Sequence, residues 1–172
     1  MGLFDFFKKK KTQQNLSTQS TPSSNEVVDA QEEFIKNSTA NAERIIEGFG
    51  EKYDDAFDYS VKSLESLDEL LDNFADFAEQ MGDDMKSDLI AQAGSYIFEV
   101  ARRNFGGKYF WYDQLNQPIL VTGLPAFEIS LVAFDKVKMR IENGVEDNIP
   151  YFFQGYADKV MHAKPGDHVM IV

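Results

Sequence analysis

The chain has 172 residues, of which 43% are hydrophobic and 27% are charged, as in one globular domain with some chain to spare. Its formal charge of −12 argues against nucleic acid as a main ligand, because phosphate binding needs a basic surface. The lack of cysteine excludes disulfides and thiolate chemistry, and no apolar run approaches the roughly 18 residues of a membrane-spanning helix.

The charge is distributed unevenly. Residues 1–25 carry a net +3, so the rest of the chain carries −15, and residues 54–88 hold twelve acids against two lysines. At the N-terminus the apolar side chains precede the lysines, which is the reverse of a secretory signal, and Phe6 stands where a myristoylation motif has Ser or Thr. We therefore predict a basic amphipathic foot at residues 1–11. Its candidate membrane contacts are Leu3, Phe4, Phe6, Phe7, Lys8, Lys9, Lys10 and Lys11.

A linker and then three helices are predicted next. Residues 12–25 consist mainly of Ser, Thr, Gln and Asn, which cannot bury enough apolar surface to offset the entropy of ordering, so we expect a disordered linker. Apolar residues at helical spacing predict helices near residues 26–48, 60–80 and 84–104. Glycines at the end of each pattern are expected to terminate these helices.

The pattern then changes to the period of strands. Three short strands are predicted at residues 108–113, 118–122 and 127–131. Helical spacing returns from Phe134 and again after Glu146, and His168–Val172 is a candidate edge strand. The prediction is an α+β fold with N-terminal helices, a small antiparallel sheet of about three strands and C-terminal helices. Residues 26–172 are expected to form a single acidic domain.

The third predicted helix carries the pattern G-x-Y-x-x-E-V-x-R-R from Gly94 to Arg103, followed by Gly106-Gly107 and an aromatic strand. Over residues 60–160 this order resembles bacterial proteins of unknown function, in which such a helix and Gly-Gly turn precede a strand with tryptophan or tyrosine. Some of those proteins look like neighbours of toxin and immunity genes. The resemblance supplies no catalytic residues, and the two aromatic residues before Trp111 leave the register of the strand open.

Few residues suggest catalysis. His162 and His168 are the only histidines, and with Asp167 they could be drawn as a metal site, but their spacing matches no helical ligand pair. We expect both to be solvated. The sequence has no serine-nucleophile elbow, phosphate loop or calcium loop. We therefore assign no catalytic residue, no cofactor and no metal.

One candidate polar site lies on the third helix and consists of Tyr96, Glu99 and Arg103. Glu99 lies one turn from Arg103, so an ion pair is expected. If Glu99 points inward it must be paired or hydrogen-bonded, because burial of a lone charge is expensive. Structural pairing is the plainer interpretation. The alternative is a functional polar site, and an enzyme of unidentified chemistry would have its site near Glu99.

The acidic stretch is the main functional signal. Asp68, Asp72 and Asp76 lie on the polar side of the second helix, where they form either a merely solvated face or a surface that steers a basic partner. They are candidate partner-binding residues together with Trp111, which is either a core residue or an interface anchor.

The leading hypothesis is a non-enzymatic bacterial protein-binding module, in one version an immunity-type protein that masks a basic toxin with its acidic face. The alternatives are a membrane-peripheral accessory protein held by the foot and the enzyme near Glu99. A cytoplasmic location is expected, with weak contact to the inner face of an anionic membrane if the foot binds. The oligomeric state is left open.

Overall fold

The computed structural model describes residues 24–172, with side chains from residue 30 onward. The first three helices are α1 (Ser24–Phe49), α2 (Ser63–Ala75) and α3 (Asp83–Phe105). α1 starts two residues earlier than predicted, and α2 is shorter than predicted because residues 76–80 form turns. The predicted foot, and the predicted linker as far as residue 23, lie outside the described residues.

A small sheet and two more helices follow. Their bounds are β1 (Lys108–Tyr112), β2 (Gln117–Thr122), β3 (Glu128–Leu131), α4 (Phe134–Asn143), α5 (Ile149–Met161) and β4 (His168–Ile171). Short 3-10 turns at Glu51–Tyr53 and Gly144–Asp147 precede α2 and α5. The predicted α+β fold, with helices before and after a small sheet, is confirmed.

The sheet has the strand order β1-β2-β3-β4. The first three strands pair antiparallel, as predicted, and β4 pairs with β3 in parallel. A parallel pair needs a long crossover connection, and α4 and α5 supply it. The sheet therefore has four strands instead of about three, because the C-terminal segment joins it.

The main core lies between the helices and one face of the sheet. Tyr109, Leu120 and Leu131 point from the strands into this core. Close packing of α3 against α4 depends on Gly94, because a Cβ atom there would lie 2.2 Å from Cδ1 of Phe134. We call this side of the sheet the inner face.

A second, smaller cluster lies on the other side of the sheet, which we call the outer face. Ile119 and Val121 of β2 cluster there with Val132, and Tyr112 packs against them. As a result all six residues of β2 are buried, whereas the other three strands alternate or are partly exposed.

Candidate functional site

Glu99 is fully buried and is the centre of a hydrogen-bonded network. Its Oε1 accepts hydrogen bonds from Nε of Arg102 and from the hydroxyl of Tyr109, both at 3.0 Å. Its Oε2 accepts from Nη2 of Arg102 at 2.7 Å and from Nε of Arg103 at 3.3 Å. The expected pair with Arg103 is present. Arg102 also reaches Glu99, because positions three and four residues away are both neighbours on a helix, and its contacts are the shorter ones.

The network keeps Glu99 ionised. Burial alone would raise the pKa of this carboxyl, but hydrogen bonds from Arg102, Tyr109 and Arg103 and the charge of Arg102 outweigh burial and lower the pKa below its usual value. A general acid or base needs a pKa near the working pH and access to a substrate proton. The geometry therefore favours the structural interpretation of Glu99 and lends no support to an enzyme centred on it.

The other two candidate polar residues meet through a residue that sequence analysis missed. The hydroxyl of Tyr96 donates to Oγ of Ser63 at 2.7 Å and accepts from the backbone N–H of Tyr59 at 3.1 Å. The ring of Tyr59 stacks on that of Tyr96 with centroids 5.0 Å apart, and the guanidinium of Arg103 lies 3.6 Å from the Tyr59 centroid. Tyr96, Glu99 and Arg103 thus belong to one structural unit.

Tyr59 has an uncommon backbone conformation. Its φ of 63° lies in the left-handed region, which large side chains rarely adopt. The stack with Tyr96 and Arg103 holds the ring, and the side-chain amide of Asn104 donates to the carbonyl oxygen of Tyr59 at 2.9 Å. The only sequence signal was the position of Tyr59 in the acidic segment between two predicted helices, which does not reveal its partner.

Two polar side chains of α1 attach this helix to the same unit. The amide of Gln31 donates to the backbone carbonyl of Tyr109, and its oxygen accepts from the backbone N–H of Tyr109 at 2.9 Å. Gln31 therefore bonds backbone groups at the edge of β1 that does not pair with β2. The hydroxyl groups of Ser38 and Tyr109 are 2.8 Å apart and share a hydrogen bond. These contacts span more than 70 residues of sequence, so local spacing could not predict them.

Asp68 belongs to a second network and not to a solvated face. Its Oδ1 accepts from Nε of Arg140 at 2.9 Å and from the backbone N–H of Ile149 at 2.8 Å. Its Oδ2 accepts from Nη2 of Arg140 at 3.1 Å and from the amide of Asn148 at 3.0 Å. The side chain of Asp68 is only 13% exposed and that of Arg140 only 2%. The expectation that Asp68 faces solvent is corrected, because α4 and the start of α5 pack against it.

The other candidate partner-binding residues are placed differently. Asp72 accepts a hydrogen bond from Nη2 of Arg140 at 2.9 Å but is 67% exposed. Asp76, one turn further along the chain, is exposed. Trp111 is partly buried and packs against the main core, so its core interpretation fits the structure better than a role as interface anchor.

Two exposed apolar side chains flank this second network. Tyr151 is 79% exposed and Val145 is 73% exposed. The backbone N–H of Tyr151 donates to Oδ1 of Asn148 at 2.9 Å, and the amide of Asn148 in turn bonds Asp68. We use the name acidic face for four exposed residues: Asp72 and Asp76 at the end of α2, and Val145 and Tyr151 on the segments that pack against α2. Helical periodicity placed Ile149, Phe152 and Phe153 inward, and this was the signal that could have identified Tyr151 as outward.

The histidines are separate and exposed. Nδ1 of His162 lies 2.9 Å from the carbonyl oxygen of Asp158, and Nδ1 of His168 lies 3.1 Å from Oε2 of Glu128. Asp167, the third residue of the metal site considered from the sequence, accepts a hydrogen bond from the backbone N–H of Lys164 at 2.8 Å. Within residues 24–172 no group of three or more His, Asp or Glu side chains is arranged to hold a metal ion.

Comparisons with protein-family models, with curated proteins and with solved structures found no match. The resemblance to bacterial proteins near toxin and immunity genes therefore stays a prediction. In the part of the chain that the structure describes, no helix combines the length and apolar character needed to cross a membrane.

Proposed function

We propose that this protein is a non-enzymatic protein-binding module that receives a basic protein on its acidic face. One observation carries the proposal: Tyr151 and Val145 are strongly exposed on segments that pack against α2, the helix that carries the exposed carboxylate of Asp72. Tyrosine is among the residues that most often dominate binding energy, since it buries a large rigid surface and keeps a polar end. The carboxylates would attract and orient a basic partner before these side chains make contact.

The buried network beneath the acidic face favours this role. Arg140 holds Asp72 at 2.9 Å while it is itself held by Asp68. Asn148 links Asp68 to the first turn of α5, which carries Tyr151. A partner would therefore meet side chains on a rigid support, and little conformational entropy would be lost on binding.

The class of partner follows from charge and from the resemblance. A chain of net charge −12 attracts basic proteins at a rate that falls with salt. Some of the bacterial proteins that the chain resembles look like neighbours of toxin and immunity genes. We therefore infer an immunity-type protein in the bacterial cytoplasm that masks a basic toxin, for example a nuclease, whose own nucleic-acid surface is positive.

Affinity capture with the tagged full-length protein from its native cells, at low and at high salt, tests this proposal. We expect one basic protein in stoichiometric amount at low salt and its loss at high salt. The double variant Asp72→Lys/Asp76→Lys and the single variant Tyr151→Ala should each lose it. The control Glu32→Lys/Glu43→Lys makes the same charge change at exposed positions of α1 and should retain it.

The same capture can contradict the proposal. If both lysine double variants weaken capture equally, the protein attracts basic partners by total charge and has no dedicated face. If capture survives high salt and all three changes to the acidic face, the partner binds elsewhere.

A further inference from the structure

Strand β2 is buried on both of its sides, although among the described residues the main helical core lies on the inner face. Its outward side chains Ile119 and Val121 are 6% and 7% exposed. A strand with one side in water alternates buried and exposed residues, whereas a strand covered on both sides has a continuous apolar run. The run Ile119-Leu120-Val121 has the second pattern. The sequence and the burial both indicate that the outer face has a cover.

The described residues provide only part of that cover. Tyr112 is the partly buried apolar residue that packs against the small cluster of Ile119, Val121 and Val132. The neighbouring apolar side chains of the outer face remain open, with Phe110 41% and Met170 37% exposed. On the inner face, by contrast, helix side chains pack directly on the strands, for example Phe98 on the ring of Tyr109.

The size of the outer face indicates what could cover it. Four strands about 4.8 Å apart and about five residues long give a surface of roughly 14 by 17 Å. That area is well below the roughly 800 Å² per partner of a standard protein interface. It suits a short segment with a few large apolar side chains and is too small for a stable contact with a second copy of the chain.

We propose that the outer face binds the chain's own residues 3–7, with Leu3, Phe4, Phe6 and Phe7 against the sheet. These residues are within reach. Gln31 is bound to Tyr109 at the edge of β1. Ser24, at the N-terminal end of α1, lies two helical turns, about 10 Å, before Gln31. The twelve residues from 12 to 23 can span up to about 40 Å.

This binding would withhold the apolar side chains of the foot from a membrane. The same Phe and Leu side chains cannot pack on the sheet and insert between lipids at once, so the two surfaces compete for them. The inference does not depend on the acidic face and goes beyond the proposed function.

Cysteine pairs test the proposal in the full chain, which has no natural cysteine. One variant combines Phe6→Cys with Phe110→Cys on the outer face. The matched control combines Phe6→Cys with Tyr151→Cys, which is more exposed and would react at least as readily if the foot only met the body at random. In a glutathione buffer we expect an intramolecular disulfide in the Phe110 pair. The effective concentration of one thiol relative to the other should be at least about tenfold higher in this pair than in the Tyr151 pair.

The apolar side chains supply a second arm. Adding Leu3→Ser, Phe4→Ser and Phe7→Ser to the Phe110 pair should lower its effective concentration to that of the control. Equal effective concentrations in the two pairs, or no effect of the serine substitutions, would overturn the proposal. A disulfide-linked dimer as the main product would overturn it as well, in favour of a second copy. Partner capture by the acidic face is a separate readout, so failure of one proposal leaves the other standing.

Discussion

The two buried networks are mirror images in charge. In the first, one carboxylate, Glu99, is shared by two arginines. In the second, one arginine, Arg140, is shared by two carboxylates. The charged residues of the first network are three and four positions apart on a single helix. In the second network Arg140 is separated by 72 positions from Asp68 and by 68 positions from Asp72. Short-range partners can be predicted from spacing on a helix, but long-range partners depend on which elements pack together.

The networks also differ in how their members reach water. Arg102 and Arg103 are 25% and 39% exposed, so both can extend into solvent if Glu99 loses its charge. Asp68 and Arg140 have no such freedom, because each is almost covered by the other and by the start of α5. The same type of substitution should therefore cost more in the second network than in the first.

The largest effect is expected for Asp68→Asn. The amide would place N–H groups against the donors of Arg140, Asn148 or Ile149, and Arg140 would keep only part of its compensation. Breaking a buried pair in this way costs about 3–5 kcal/mol in free energy of unfolding. Urea denaturation at pH 7 measures it. The control Asp76→Asn, on an exposed residue one turn beyond Asp72, should stay within about 0.5 kcal/mol. Equal effects at the two positions would mean that Asp68 is a surface residue, as helical periodicity had suggested.

A smaller effect is expected for Glu99→Gln. The substitution removes charge from the centre of the network, but Arg102 and Arg103 can turn to water and the hydroxyl of Tyr109 retains Ser38. The loss should be about 1–3 kcal/mol by the same urea measurement. A loss larger than that of Asp68→Asn would reverse the proposed difference between the networks.

The pH dependence of this difference provides a further test. The pKa of Glu99 lies below its usual value of 4.5 in the folded protein. The charged form therefore contributes stability that is fully present above pH 4.5 and is lost as the pH falls through the lowered folded value. The gap in unfolding free energy between the wild type and Glu99→Gln should be constant from pH 7 to 5 and narrow below about 4.5. A gap that widens on acidification would contradict the ionised state of Glu99.

The sequence predicted the helices and the first three strands because their apolar periodicity is long and regular. It failed at positions on the margin of a periodic stripe. Asp68 was assigned to the polar side of α2, yet it neighbours Leu64 and Leu71, both fully buried, on the helix surface. This position was a signal that it could face another element. The sequence around Asp68 could not show that its partner would be Arg140, which lies 72 positions away.

The candidate polar site was predicted more fully than the acidic face. Tyr96, Glu99 and Arg103 were chosen from one helix, and the structure brings them together because helical neighbours stay neighbours whatever the fold. Tyr59 and Tyr109 complete that unit from outside α3. Tyr59 has a left-handed backbone conformation, and Tyr109 lies on β1, where its backbone bonds Gln31. Tyr151 was missed because helical periodicity shows that a residue points outward but does not show whether it binds a partner.

The smallest effect is expected for Asp72→Asn, and it connects the second network to the proposed function. Asp72 shares Arg140 with Asp68, but at 67% exposure its charge is screened by water, and such pairs contribute about 0–1 kcal/mol. Urea denaturation should place the variant within that range of the wild type. Capture of a basic partner should nevertheless weaken, because the carboxylate is positioned by Arg140 and left open to solvent. A loss of stability as large as that of Asp68→Asn would make Asp72 a structural residue and remove it from the acidic face.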